Sequence, residues 1–364
     1  MRKFVKNKLS IIIPTFNEAD NVNKLIDEII CEVQNKEYEI IIVDDGSTDD
    51  TVNNIFKNFN QNDKIKVIQR EHDRGLLQSI KFALQSITGE FFLVMDGDGQ
   101  HSPKDINLLL NELDNSDLVV GCRDLNKMDS MSENRISLSK FFNQVLNYVL
   151  SIKLTDPLTG FFAGKVSILN KKFYLLTNSG FKILLDLIFS NKSKNLKISE
   201  KKINFKSRNF GESKLSPQVA FSFVTQIISY MFFGLISSKL IGFLIIGTLG
   251  FLVHFGILLF NLNVLGYSFY ISHTIATLVT ASVNFLLNNY LNFYNSKINT
   301  YKKIMLSLLK YYLINIPGLI SNIGGASFAY NVLTKNPLIS SSVGIILDTM
   351  FKYFVSKTWI WKAN

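Results

Sequence analysis

Two carboxylates separated by a single glycine, Asp96 and Asp98, follow directly on the apolar run Phe91-Phe92-Leu93-Val94-Met95. A short apolar run is how a buried parallel strand reads, and open α/β sheets bind ligands beyond the carboxyl ends of their strands. The acids therefore stand where a hard divalent cation, Mg²⁺ or Mn²⁺, could be held against a diphosphate. Such a cation takes one or two protein carboxylates and fills its shell with water and substrate phosphate. The same Asp-Gly-Asp-Gly stretch also suits a plain turn without metal, since both residue types form turns readily.

The elements that must position these acids alternate along the first third of the chain. Short β-branched runs, Leu9 to Ile13, Tyr38 to Val43, Ile65 to Ile68, Phe91 to Met95 and Asp117 to Gly121, predict strands. Between them Glu18 to Val33, Thr48 to Phe59, Gly75 to Ile87 and Pro103 to Leu113 carry helical spacing, with Ser47 and Ser102 placed as N-caps and Pro103 at a first helical position. Alternation of this kind predicts a parallel sheet covered by helices. Two further loops then open at the same edge: Pro14-Thr15-Phe16-Asn17-Glu18 after the first strand, and Asp44-Asp45-Gly46-Ser47-Thr48-Asp49 after the second.

Composition divides the 364 residues into two unlike parts. Residues 215–364 carry nine Lys, no Arg and one acid, Asp348, so nearly all of the net charge of +10 belongs to that part. Nucleic-acid binding would want basic residues clustered on a soluble face. Here the lysines flank apolar segments, Leu240 to Phe260, Phe269 to Phe293, Ile304 to Tyr330 and Leu338 to Val355, as membrane-interface charges do. Each is close to or longer than the ~20 residues that cross a bilayer core. With four spans and a cytoplasmic start, every lysine of this part except Lys335 lies inside, and both termini are cytoplasmic. A fifth span at Gln218 to Ile236 would put the Lys297 to Lys310 cluster outside, so that segment is expected to lie in the interface as an amphipathic helix.

The basic start is broken by Pro14 before any secretory apolar core can form. Cys31 and Cys122 fit neither a disulfide framework nor a metal site, so packing in a reduced compartment is the default. Asp348 could pair with Lys352 one turn on. His254, His273, Asn284, Asn288 and Asn289 are read as groups bonding neighbouring helices, and His101 as a loop residue.

With these loops in place, the chain resembles the family 2 glycosyltransferases. Asp156-Pro157-Leu158-Thr159-Gly160-Phe161-Phe162, Gly180-Phe181-Lys182-Ile183-Leu184-Leu185-Asp186 and Arg208-Asn209-Phe210-Gly211-Glu212-Ser213-Lys214 look like the polyprenyl-phosphate sugar transferases, the dolichyl-phosphate mannose synthases in particular. The apolar part looks like a four-helix domain of GtrA type. The resemblance covers essentially the whole chain and implies an α/β GT-A (Rossmann-like) catalytic domain over residues 1–214, with an amphipathic helix at 136–150. An interfacial helix at 215–238 and an all-α transmembrane domain at 239–364 follow.

The resemblance further implies that Pro14, Phe16, Glu18, Val43 and Asp45 frame a nucleotide, while Asp96, Gly97, Asp98 and Gln100 gather around metal and diphosphate. Asp96, Asp98 and Gln100 would hold the cation. Phe16 stands where relatives often carry Tyr, so any hydroxyl contact there is lost. Arg123, Arg135, Ser139 and Arg208 would receive the acceptor phosphate and Lys214 the donor's, with Asp98, Arg123 and Arg208 closest to the chemistry. Arg presents a planar fork matched to phosphate and Lys a point charge. Arg123 could instead pair with Asp124 or another acid, an interaction of about 0 to 1 kcal/mol if exposed.

The activity so implied is inverting transfer of a hexose, mannose from GDP-mannose foremost, onto a polyprenyl phosphate at the cytoplasmic membrane face. A UDP-glucose-dependent undecaprenyl-phosphate glucosyltransferase is the rival within the class, because Glu18 and Asp45 could meet either base. A carrier or translocase of lipid-linked sugar, with a nucleotide-binding domain, is the alternative outside it. A processive polysaccharide synthase would carry a Gln-x-x-Arg-Trp motif, and both tryptophans here, Trp359 and Trp361, lie at the extreme C-terminus. Oligomeric state is left open.

Overall fold

The computed structural model describes residues 4–71, 75–123, 143–175, 183–205, 217–314, 316–343 and 345. Its contacts divide the chain into two compact units, residues 1–214 with 230–234, and residues 215–229 with 235–364.

The first unit is built on a seven-stranded sheet of order β3-β2-β1-β4-β6-β5-β7. The strands are β1 (Val5–Thr15), β2 (Tyr38–Asp44), β3 (Ile65–Gln69), β4 (Gly89–Val94), β5 (Leu118–Cys122), β6 (Phe162–Lys165) and β7 (Ile198–Lys202). All neighbours run parallel except β6, which is antiparallel to both β4 and β5. The five expected strands are β1 to β5. Not foreseen are β6, a four-residue Phe-Ala-Gly-Lys, and β7, an Ile-Ser-Glu-Lys-Lys edge strand whose lysines suit an unpaired margin.

Helices α1 (Val22–Val33), α2 (Thr51–Phe59), α3 (Leu76–Leu84) and α4 (Ile106–Glu112) connect the first five strands, and α5 (143–150), α6 (Lys171–Leu175) and α7 (Ile183–Ser190) come later. In α1 the buried Val22, Leu25, Ile26, Ile29 and Val33 recur at helical spacing and meet Ile11, Ile13, Ile40 and Ile42 of β1 and β2. Each such side chain contributes about 1.5–3 kcal/mol on burial. Helix α3 packs on the same two strands.

Two buried carboxylates of this unit are held by partners from several elements. On β2 the buried Glu39 accepts from Ser10 Oγ (2.7 Å), Thr88 N (2.6 Å), Thr88 Oγ1 (2.8 Å) and Lys66 Nζ (2.8 Å), joining β1, β2, β3 and the start of β4. Burial raises the Glu39 carboxyl, but the bonds from Lys66, Ser10 and Thr88 outweigh it and bring the pKa down to about 2. Asp186 of α7, fully buried, faces Lys81 Nζ of α3 at 3.3 Å and accepts from the Tyr230 hydroxyl.

In the second unit α8 begins at Pro217 and runs to Met231, its last two residues falling in the first unit. Helices α9 (Ser238–Asn263) and α10 (Phe269–Leu287) follow, α10 continuing as a π-turn over Asn288–Asn292. Among the described residues, Ser238–Asn263 and Phe269–Asn292 are the two helices long and apolar enough to cross a membrane, at 26 and 24 residues. Of the Ile304 to Tyr330 segment, expected as one span, α11 (Tyr301–Ile314) and α12 (Ile316–Phe328) are described on either side of Asn315, which lies outside the described residues. Of the last expected span, residues 338–343 and 345 are described, and Asp348 and Lys352 lie outside the described residues.

Candidate active site

The chain runs β1, β2, β3 to one side and then returns to lay β4 on the other side of β1, so the order of the sheet reverses between β1 and β4. A crevice outside the carboxyl ends forms at such a reversal, and the loops after β1, β2 and β4 carry the expected residues there. Met95 N donates to Ile12 O at 3.1 Å, which brings the Asp96 loop alongside Pro14. Pro14, Val43 and Gly97 are buried, Asp45, Glu18, Asp96, Asp98 and Gln100 half-buried, and Phe16 exposed.

The β1 and β2 loops are tied to one another. Asn17 N donates to Ser47 Oγ (2.8 Å), Asn17 Oδ1 accepts from Thr48 N (2.9 Å), and Glu18 N donates to Thr51 Oγ1 (2.8 Å). Asp44 gathers Thr15 Oγ1, Gly46 N and the backbone and hydroxyl of Ser47. Ser47 thus anchors the loop, and Asp50, not Ser47, takes the N-cap position of α2. Asp45 accepts from Gly75 N, Ser79 Oγ (3.2 Å) and Arg70 Nη1 (3.4 Å), pinning the start of α3 to this edge. Arg70 and Ser79 are residues the sequence did not single out.

Asp96 and Asp98 lie on a loop supported from below. Asp96 N donates to Nδ1 of His101, a residue only 2% exposed that stacks on Phe161 (centroids 5.1 Å apart) and meets Phe205 edge-on at 5.5 Å. Because Nδ1 accepts here, the ring carries its proton on Nε2 when neutral. Gln100 N donates to Asp98 Oδ1 at 3.1 Å. Gly160 is what lets the Asp96 carboxylate settle: a Cβ there would sit 2.7 Å from Oδ1 and closer still to Oδ2.

Arg123 closes the group. Its Nε and Nη2 donate to Asp156 at 2.6 and 3.0 Å, a bidentate pair, and its guanidinium carbon lies 5.3 Å from the centre of the Phe205 ring. Among the described residues its partner is Asp156, buried and 33 residues away, while Asp124 lies outside the described residues. Burial works against the Arg123 charge, but Asp156, then Asp96, outweigh it and raise its pKa. Arg123 stays cationic beside the Asp96 carboxylate, with its Nη1 edge unused by Asp156. Asp156, Gly160, Phe205 and His101 belong to the site without being among its expected residues; of these, Asp156 and Gly160 fall in the motif Asp156 to Phe162.

Arg135, Ser139, Arg208 and Lys214 lie outside the described residues. Among the described residues no cluster of three or more His, Cys, Asp and Glu side chains could hold a metal by itself. Two carboxylates at a crevice are nonetheless the donor set that Mg²⁺ or Mn²⁺ uses when substrate phosphate and water supply the rest, so Asp96 and Asp98 fit such an ion.

The family model for glycosyl transferase family 2 matches residues 10–173, and that for the GtrA/DPMS transmembrane domain matches residues 242–361. A dolichol-phosphate mannosyltransferase of Pyrococcus furiosus is 31% identical over 97% of this chain and 99% of its own length. The chain belongs to the dolichol-phosphate mannosyltransferase family. It is a glycosyltransferase and a membrane protein. A second relative, the dolichol-phosphate mannosyltransferase of Mycosarcoma maydis, is 27% identical over 60% of this chain and 77% of that protein. Among solved structures, glucosyl-3-phosphoglycerate synthase from Mycobacterium tuberculosis with Mn²⁺, UDP-glucose and phosphoglyceric acid aligns at 18% identity and a TM-score of 0.47, covering 61% of this chain and 80% of that one.

Proposed function

We propose that this chain transfers a hexose, mannose from GDP-mannose foremost, with inversion onto the phosphate of a polyprenyl phosphate at the cytoplasmic face of the membrane. The observation that carries the reading is the convergence of Asp96, Asp98 and the Asp156-braced Arg123 at the β1/β4 crevice. Acids there suit a cation-bound diphosphate, and a permanently charged fork beside them suits a second phosphate.

Asp96 and Asp98, with Gln100 beside them, would hold Mg²⁺ or Mn²⁺. The bound ion supplies Lewis-acid stabilisation of the charge that develops on the departing nucleoside diphosphate. The β1 and β2 loops bind and orient the nucleotide, Asp45 by fixing the edge of α3. The acceptor phosphate is already anionic at neutral pH, so no side chain need remove a proton from it. Arg123 orients that oxygen for attack on the anomeric carbon, and Arg135, Ser139, Arg208 and Lys214 keep the phosphate-binding duties that the resemblance assigns. Positioning and preorganised charge then carry the acceleration.

Purified full-length chain is incubated with prenyl phosphate and labelled GDP-mannose or UDP-glucose, with and without Mn²⁺. Label in the lipid fraction from GDP-mannose is the expected result. Transfer from UDP-glucose alone replaces the donor, and nucleotide binding with no transfer in any mixture overturns the reading in favour of a carrier.

A further inference from the structure

Six polar residues of α10 and its π-turn form one stripe. His273, Thr277, Thr280, Asn284, Asn288 and Asn292 recur at intervals of three or four, which keeps them on a single helical face. At ~1.5 Å per residue the stripe is roughly 28 Å long, close to the ~30 Å of a bilayer's hydrocarbon core. Its ends are satisfied. His273 Nε2 meets Asn322 Oδ1 at 3.0 Å, Asn288 Nδ2 donates to Asn284 O at 2.9 Å, and Asn292 Nδ2 donates to Lys239 O at 2.9 Å.

Its middle is not. The Thr277 and Thr280 hydroxyls and the Asn284 amide oxygen are buried without a hydrogen-bond partner, and Thr277 and Thr280 are at most 9% exposed. All three residues line one cavity of about 70 Å³, with Phe243, Phe251 and Tyr311 in the same wall. Gly250 of α9 keeps the Asn284 amide in place, because a Cβ there would lie 2.6 Å from Nδ2 and nearer to Oδ1. Three unpaired polar atoms around one void is a costly arrangement for a membrane interior unless something polar fills it.

We propose that this cavity binds the hydroxyl groups of a neutral polar molecule. Among the described residues no Lys, Arg, Asp or Glu lines it, so none of these offers a phosphate or ammonium a counter-charge, whereas two hydroxyls and an amide oxygen can both give and accept bonds to another hydroxyl. The volume holds about two waters by liquid share, equivalent to one hydroxylated edge of a polyol. Water is the resting occupant and a polyol edge displaces it, whether that edge belongs to a free polyol or to the sugar of a lipid-linked hexose.

The test is Thr280→Cys in the full-length chain, with labelling of the α10 peptide by a small, neutral, water-borne methanethiosulfonate followed by mass spectrometry. The cysteine thiolate, which needs water to form, attacks the thiosulfonate sulfur and releases methanesulfinate as the mixed disulfide forms. The expected result is labelling that glycerol, free mannose or hexosyl prenyl phosphate slows at least about fivefold and unglycosylated prenyl phosphate does not. Slowing by the hexosyl lipid alone names the lipid as the source; slowing by free polyols as well names the hydroxyl edge alone. Protection must also disappear when Thr277→Val is added. Thr277→Cys serves if the first variant does not fold, as judged by melting. No labelling in a folded chain, or labelling that no polyol slows, overturns the proposal. Repeating the measurement on Asp98→Ala separates the cavity from the transfer reaction, since that change leaves the cavity's occupancy as it was.

Discussion

The two units sort polar and apolar side chains in opposite ways. In the catalytic unit Ile11, Ile13, Ile40 and Ile42 fill the interior, and the acids of the site stand on the rim. In the membrane unit Leu252, Phe260 and Val264 point outward, while His254, His273 and Asn288 are buried among helices. Water drives apolar surface inward. Lipid gives no such push, so helices there associate through packing and polar contacts. Polar residues of one unit are therefore spent on chemistry at a surface, and those of the other on joining helices and lining a cavity.

If that contrast is right, removing a rim acid abolishes activity without touching the fold. Asp98→Ala and Asp96→Ala are each expected to lower hexosyl transfer by roughly 10²–10³-fold, the range for losing one preorganised electrostatic group, while the melting temperature of the full chain stays within error. Unaltered turnover in a folded, membrane-inserted variant would remove the basis of the proposed mechanism. Gly160→Ala sharpens the point without removing any functional group. Its Cβ lands on the Asp96 carboxylate, and displacement by about 1 Å at a reacting centre can cost ~10²-fold. Normal activity in this variant would mean that Asp96 does not need its present position.

Asp156→Asn tests a residue that belongs to rim and interior at once. It leaves Arg123 without its bidentate counter-ion, so it is expected to cost roughly 2–3 kcal/mol of stability together with a raised KM for the acceptor. Urea titration and acceptor kinetics measure the two parts. A loss of stability with acceptor kinetics unchanged would make Arg123 a structural cation.

What could be read before the structure follows from how local each signal is. Strands β1 to β5 declare themselves by apolar runs, and Asp96 and Asp98 by following one. Strand β6 is too short and glycine-bearing to show a pattern, and β7 hides in a lysine-rich stretch. The partnership of Arg123 with Asp156 depends on β6 turning back between β4 and β5, which no local spacing encodes. His101 looked like a loop residue because its burial comes from Phe161 and Phe205, brought to it by that same topology. The unpaired Thr277 and Thr280 hydroxyls were equally hidden, since a polar residue on an apolar helix does not say whether its neighbour offers a bond or a void.

Glu39 is a buried carboxylate in the midst of the sheet, away from the rim, and its expected effect falls on stability alone. In the unfolded chain its carboxyl returns to the ordinary value of 4.5, against about 2 when folded. Above about pH 4.5 both states are ionised and its contribution to stability is complete. As the pH falls from there toward 2 the unfolded chain takes up the proton first, so the contribution is progressively lost. Glu39→Gln cannot ionise and should lack this component, melting below the parent at neutral pH. The gap between the two chains should then narrow between pH 4.5 and 2. Thermal melts of both full-length proteins across that range measure it. A gap that stays constant would show that hydrogen bonds from Ser10 and Thr88, which glutamine can keep in part, hold the four strands together, and that the charge facing Lys66 adds nothing.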